Sequence, residues 1–207
     1  MDIQEQIKNW ERKEGVSLFD RLGLPEEAAV LDYGCGFGHY TFALSRALHG
    51  RGTVYAVDIN PACLDSVRQT ASEERLENIH VRPGNRDYTL DFSERCLDLI
   101  LYYDILHGDG LHRFTLYKEA ARTLKSDGIL SVLPFHLTSF RDTERGKRSF
   151  TYSILIEEIE KFGFRKISGP PLKGIHFEKV HSPHYMRQGG VELGSLERGE
   201  ILNFVKN

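Results

Sequence analysis

Val30-Leu31-Asp32-Tyr33-Gly34-Cys35-Gly36-Phe37-Gly38 is the stretch on which the reading of this chain turns. The apolar run from Ala28 to Tyr33 has the composition of a buried strand, and the glycines after it let the backbone leave through a turn that side chains would block. Tyr40 to His49 then has helical spacing and stops at Gly50, so free N–H groups at the start of a helix face the same crevice. Downstream, Thr53 to Asp58 reads as a second strand. Asn60-Pro61 supplies an N-cap and a first-turn proline for a helix to about Arg75. Further strands are expected at Ile79 to Arg82, Leu97 to Tyr102, Ile129 to Leu133, Phe164 to Ile167 and Glu200 to Val205. Helices are expected over Arg113 to Leu124, ended by the turn Lys125 to Gly128, and over Phe150 to Phe162. Alternating strands and helices predict a doubly wound α/β domain, its mostly parallel sheet having seven strands with the last antiparallel.

Upstream, the spaced apolar residues Ile3, Ile7, Trp10, Val16, Leu18, Phe19 and Leu22 predict one or two amphipathic helices as an N-terminal cap. A chain of 207 residues suits a single domain, with the cap over 1–24, a ligand-binding core over 25–168 and a substrate-side segment with the last strand over 169–207. With 40% hydrophobic and 28% charged residues the profile is that of a soluble globular protein. The 27 basic and 30 acidic side chains argue against a surface built to neutralise nucleic acid, so no nucleic-acid partner is expected. Cys35, Cys63 and Cys96 form no CxxC pair, which indicates neither a disulfide framework nor a zinc knuckle and suggests a reduced, cytoplasmic setting. The first residues are too polar for a signal peptide, and no apolar run approaches the roughly 20 residues of a membrane helix.

Asp58 ends the second strand twenty residues past Gly38, where an acidic side chain can accept hydrogen bonds from both hydroxyls of a ribose. A nicotinamide site is a poor match. Its GxGxxG fingerprint puts the third glycine one place later, where this chain has His39, and a single domain is expected, with no second one to hold a hydride-transfer substrate. A glycine turn in a non-binding α/β domain is the bland alternative.

From Val30 to Leu133 the chain resembles the class I methyltransferases, particularly small methyltransferase-domain proteins of the ubiquinone/menaquinone type. VLDYGCGFG is similar to the family's first motif, VYAVDIN to its acidic ribose-binding motif, LDLILYYDILH to its fourth-strand motif, and EAARTLKSDGILSV to its helix, turn and fifth strand. Pro83-Gly84-Asn85-Arg86 takes the place of its adenine-binding turn. The resemblance implies a Rossmann-like fold and S-adenosylmethionine as cofactor. It implies Asp32, Tyr33, Gly34, Gly36, Gly38, Asp58, Ile59, Asn85, Arg86 and Tyr102 as cofactor contacts. The glycine backbone would pass beneath the methionine part, Asp32 would order the loop and meet the ammonium group, Asp58 would hold the ribose and Ile59 would pack on the adenine. Asn85 departs from the aspartate frequent at that place; its carbonyl oxygen can still accept. Tyr102 would border the cofactor.

Methyl transfer mainly needs an in-line approach of the nucleophile, sometimes with a base. Of the nine histidines, His107, His112, His136, His176, His181 and His184 fall in segments expected over the carboxyl edge of the sheet, with Asp104 and Asp109. His107, Asp104 and Tyr103 are the catalytic candidates, His107 foremost as base; exposed loop histidines are the plainer reading. The gathering of histidines at this edge makes a general base or a metal site worth considering, but no pair at helical ligand spacing supports a metal, so none is expected. The charged run from Arg141 to Arg148 is a lid or a solvated loop. The long stretch 170–198 would overhang the pocket and shape substrate choice. The expected reaction is methyl transfer to a small molecule by a monomer or homodimer, the rivals being a protein or RNA acceptor and a non-catalytic cofactor-binding module.

Overall fold

The computed structural model describes residues 2–107, 110–137, 150–182, 187 and 191–206. The expected loop over 138–149, with its charged run, and the candidates Asp109 and His184 lie outside them. Eight strands form the sheet: β1 (Ala29–Tyr33), β2 (Thr53–Asp58), β3 (Ile79–Pro83), β4 (Leu97–Tyr103), β5 (Leu124–Leu133), β6 (Phe164–Lys166), β7 (Leu172–Ile175) and β8 (Arg198–Lys206). Helices are α1 (Ile3–Arg12), α2 (Glu14–Asp20), α3 (His39–Ala47), α4 (Pro61–Glu73), α5 (Gly110–Thr123), α6 (Tyr152–Glu160) and the short α7 (Glu178–His181).

The order is β3-β2-β1-β4-β5-β8-β6, with β7 added beside β8. β1 pairs in parallel with β2 and β4, and β8 runs antiparallel to β5, β6 and β7. The chain winds outward from β1 through β2 to β3, then returns to lay β4 on the other flank of β1. That reversal leaves a crevice at the carboxyl ends of β1 and β4, where ligands of such sheets bind.

Two corrections concern the sheet. It has eight strands, not seven, because Leu172-Lys173-Gly174-Ile175 pairs with the first half of β8. Four residues are too few for an alternation to stand out, and Gly174 is there for close packing: a Cβ on it would lie 2.4 Å from Leu133 and 2.7 Å from the Tyr40 hydroxyl. The expected turn at Lys125 to Gly128 is instead the start of β5, across from an irregularity in β4.

Strand alternation decides which side chains meet the site. Leu31 and Tyr33 on β1, with Ile100 and Tyr102 on β4, enter the core beneath α5 and α6. Val30, Leu99, Leu101 and Tyr103 join the opposite core, with Trp10, Phe19 and Tyr40 from α1, α2 and α3. The expected helical cap is thus present, and Trp10 meets Tyr40 and Phe177 edge-on at 5.2 and 5.0 Å. Among the described residues no helix is long and apolar enough to cross a membrane.

Candidate active site

The loop after β1 is shaped by its glycines. Gly34, Gly36 and Gly38 have φ of 77°, 51° and 86°, the left-handed region that favours glycine. A Cβ on Gly34 would stand 2.4 Å from Ile105 in the loop after β4, and one on Gly38 would stand 2.8 Å from Val67 and 2.9 Å from Phe42. A Cβ on Gly36 would meet nothing within 4 Å, so here the backbone borders open space. The Gly36 N–H donates to Asp58 at 2.9 Å, and the second Asp58 oxygen accepts from the Asn60 N–H at 2.8 Å. Beside it Ile59 is 65% exposed, an apolar side chain with nothing over it. Asp32 is buried, and its carboxylate accepts from the Thr41 hydroxyl at 2.6 Å. Burial pushes its pKa up to about 6; the Thr41 bond opposes this and the Asp58 charge adds to it. A buried carboxylate with no cationic partner among the described residues, an acid beside an exposed apolar side chain, and a backbone facing open space together fit a cationic, ribose-bearing ligand.

A cavity of about 290 Å³ continues from this loop. Its walls include Phe37, Tyr40, Tyr103, Phe135, Ile175 and Phe177, and Asp104, His176 and Glu178 make a polar end. Tyr40 fixes one wall: its hydroxyl donates to the Ile175 carbonyl at 2.8 Å and accepts from the Ile175 N–H at 2.6 Å. From the stretch after β6, Ile175, His176, Phe177, Glu178 and His181 line the cavity.

The candidates from sequence divide. Asp32, Gly34, Gly36, Tyr103 and Asp104 line the cavity. Tyr102 does not: it is fully buried on the far side of the sheet and its hydroxyl donates to the Leu116 carbonyl at 2.9 Å. Adjacent strand residues face opposite sides, so Tyr103 reaches the cavity and Tyr102 cannot. Tyr33 shares that far side, edge-on to Tyr102. The Asn85 carboxamide closes its own turn, donating to the Thr89 carbonyl and hydroxyl and accepting from the Asp87 and Thr89 N–H groups; Arg86 beside it is exposed. The Tyr103 hydroxyl is engaged with Ser131 at 2.9 Å. His107 does not line the cavity; its Nδ1 is 3.9 Å from Asp104, too far for a hydrogen bond. His112 lies on α5 against Tyr88, away from the pocket.

The sequence places several histidines and Asp104 at this edge, and the structure sorts some of them into two clusters whose acidic partners Glu11 and Glu178 the sequence does not single out. Glu11 of α1 lies 2.7 Å from His39 Nδ1, and His39 Nε2 lies 2.8 Å from Nε2 of His181, which stacks on Phe37. Burial, then the neighbouring His39, pushes the His181 pKa down to about 4. In the second cluster Asp104, His136, His176 and Glu178 converge at the polar end. They come from the ends of β4 and β5, from just after β7 and from the start of α7, so spacing along the chain carries little sign of the group.

Comparison with known proteins places this geometry. Residues 30–128 match the family described as "Methyltransferase domain". The demethylmenaquinone methyltransferase of Lactococcus lactis is 30% identical over 204 residues, covering 90% of this chain and 77% of the relative. An aklanonic acid methyltransferase from Streptomyces is 33% identical over 72 residues, 35% of this chain and 32% of the relative. A solved SAM-dependent methyltransferase from Aquifex aeolicus shares the fold, with a TM-score of 0.64 over 99% of both chains at 20% identity. A doubly wound sheet with this glycine loop is thus the scaffold of a methyl-transferring enzyme. The chain belongs to the class I S-adenosylmethionine-dependent methyltransferases, and S-adenosylmethionine is its cofactor.

Proposed function

We propose that the enzyme transfers a methyl group to an oxygen or carbon of a small, largely aromatic acceptor held in the cavity beside the glycine loop. The observation that carries this is the lining: aromatic and aliphatic walls closed at one end by Asp104, His176 and Glu178. Relatives named for demethylmenaquinone and aklanonic acid point to the same class of acceptor. No lysine or arginine lines the cavity among the described residues, and Asp32, Asp104 and Glu178 do, a field that repels a nucleic-acid backbone.

When bound, the cofactor supplies an electrophilic methyl group on a sulfonium. Backbone at Gly34, Gly36 and Gly38 approaches its methionine part. Asp32 supplies negative charge for the cationic centre. Asp58 would accept from the ribose hydroxyls on the lone pairs that the Gly36 and Asn60 N–H groups leave free, and Ile59 would pack on the adenine. Asn85 and Arg86 border that base, Asn85 by holding the turn. Tyr33 and Tyr102 support the floor from behind. Tyr103 walls the acceptor, and the Asp104–His176 pair, rather than His107, faces the acceptor's reacting group.

Calorimetric titration with S-adenosylmethionine, its demethylated product and NAD tests the cofactor site. The first two are expected to bind and NAD not to. Asp58→Ala loses hydrogen bonds to a charged acceptor, about 1.5–3 kcal/mol or roughly tenfold to a hundredfold in affinity. Methyl transfer from labelled cofactor is then offered hydroxylated naphthalenes and quinols beside bulk RNA and protein. Label appearing in the macromolecules alone would overturn the acceptor class.

A further inference from the structure

The polar end of the cavity holds more donors than hydrogen bonding uses. His176 is 5% exposed, and among the described residues its Nδ1 and the buried Asp104 Oδ1 have no hydrogen-bond partner. Around His176 Nε2 stand Asp104 Oδ2, ion-paired at 2.7 Å, and Glu178 Oε2 at 3.4 Å. His136 Nε2 closes the group, 3.9 Å from Asp104 Oδ2 and 3.6 Å from Glu178 Oε2. All four donor atoms lie within 4.8 Å of one another.

We propose that Asp104, His136, His176 and Glu178 bind a divalent first-row transition metal ion of zinc type at the acceptor end of the cavity. Four features of the cluster converge. First, ligands about 2.0–2.2 Å from a tetrahedral ion are about 3.3–3.6 Å apart, and the observed edges scatter around that figure. The Asp104–His176 edge alone is shorter, and a carboxylate rotation opens it. Second, two neutral imidazoles with two carboxylates neutralise a divalent ion, and imidazole with carboxylate is a donor set for zinc rather than calcium or magnesium. Third, the other His176 nitrogen, Nδ1, faces the Glu197 carboxylate at 3.6 Å, the place of the outer carboxylate that orients a metal-bound imidazole. Fourth, Asp104 and His136 hold φ of 55° and 54°, an uncommon conformation for residues other than glycine that here turns both toward one point.

The site borders the acceptor pocket, so an oxygen of the acceptor can add to the four-coordinate ion as a fifth ligand. An ion there lowers the pKa of a hydroxyl bound to it, so the hydroxyl can release its proton to solvent without a side-chain base. Binding itself is measured without cofactor or acceptor, so its outcome stands apart from the acceptor reading.

The test uses the full chain, purified without a histidine tag and stripped with chelator. Zn²⁺ is titrated by equilibrium dialysis with metal analysis, and Co²⁺ by its visible absorption. One zinc per chain and the intense visible bands of four-coordinate cobalt are expected. His176→Ala and Asp104→Asn are expected to abolish stoichiometric binding, and Glu197→Gln to weaken it about 10- to 100-fold. His136→Ala changes a half-exposed rim residue, so it tests the site even if the buried variants fail to fold. No stoichiometric zinc, or zinc binding untouched by His136→Ala, would overturn the proposal and leave the cluster as an imidazolium–carboxylate group.

Discussion

Asp32→Asn is expected to make the cofactor-free enzyme more stable while weakening its hold on S-adenosylmethionine. Asp32 is 3% exposed, and burial raises its pKa from 3.8 to about 6. A carboxyl with a raised folded pKa binds its proton more tightly in the folded state. Its contribution to stability is therefore full below pH 3.8 and is lost as pH rises through about 6. A shift of that size corresponds to about 3 kcal/mol at most at pH 8. Asparagine keeps the size and the oxygen that accepts from Thr41, and carries no charge. The variant is thus expected to gain up to about 3 kcal/mol at pH 8, and about half of that at pH 5, where the wild-type carboxyl is already largely protonated. For a domain of this size the gain at pH 8 is worth roughly 6–12 °C in Tm. The assay is thermal and urea denaturation of both proteins at pH 5 and pH 8, paired with calorimetric titration of the cofactor. Equal stability at pH 8, or a gain that does not change with pH, would refute the argument that burial of this charge is a cost the folded enzyme carries for its ligand.

Two further outcomes test the frame around the site. Arg113 is fully buried and makes a two-bond pair with Glu158 at 2.9 and 3.0 Å; Glu158→Gln takes away the carboxylate charge facing the guanidinium and is expected to cost about 1.5–3 kcal/mol in urea denaturation. A loss below about 1 kcal/mol would mean that the pair is replaceable. Tyr40→Phe strips both buried backbone groups of Ile175 of their partner, an expected loss of about 1–3 kcal/mol. Because Ile175 walls the cavity, turnover of an acceptor is expected to fall more than cofactor affinity; the reverse order, measured by kinetics and calorimetry, would place Tyr40 in the cofactor site instead.

The local part of this protein was written along its chain. Strand–glycine–helix at 30–47, the strand ending in Asp58, and the N-cap and proline at 60–61 depend on neighbours within a few residues, so periodicity and turn chemistry disclosed them. So did the order of elements, from which a doubly wound sheet with a crevice at β1 and β4 follows. What depends on contacts between distant segments could not be read this way. Tyr102 and Tyr103 are indistinguishable in composition, and only the face each takes on β4 puts one in the cavity and the other beneath α5. β7 exists because β8 offers it an edge and because Leu133 and Tyr40 leave room for nothing larger than Gly174. His136 and His176 are forty positions apart, and each alone reads as an ordinary loop histidine. Folding brings them within reach of Asp104 and Glu178 and strips the water from His176, so the sequence determined the scaffold and the cofactor loop, and tertiary packing decided which donors share one small volume.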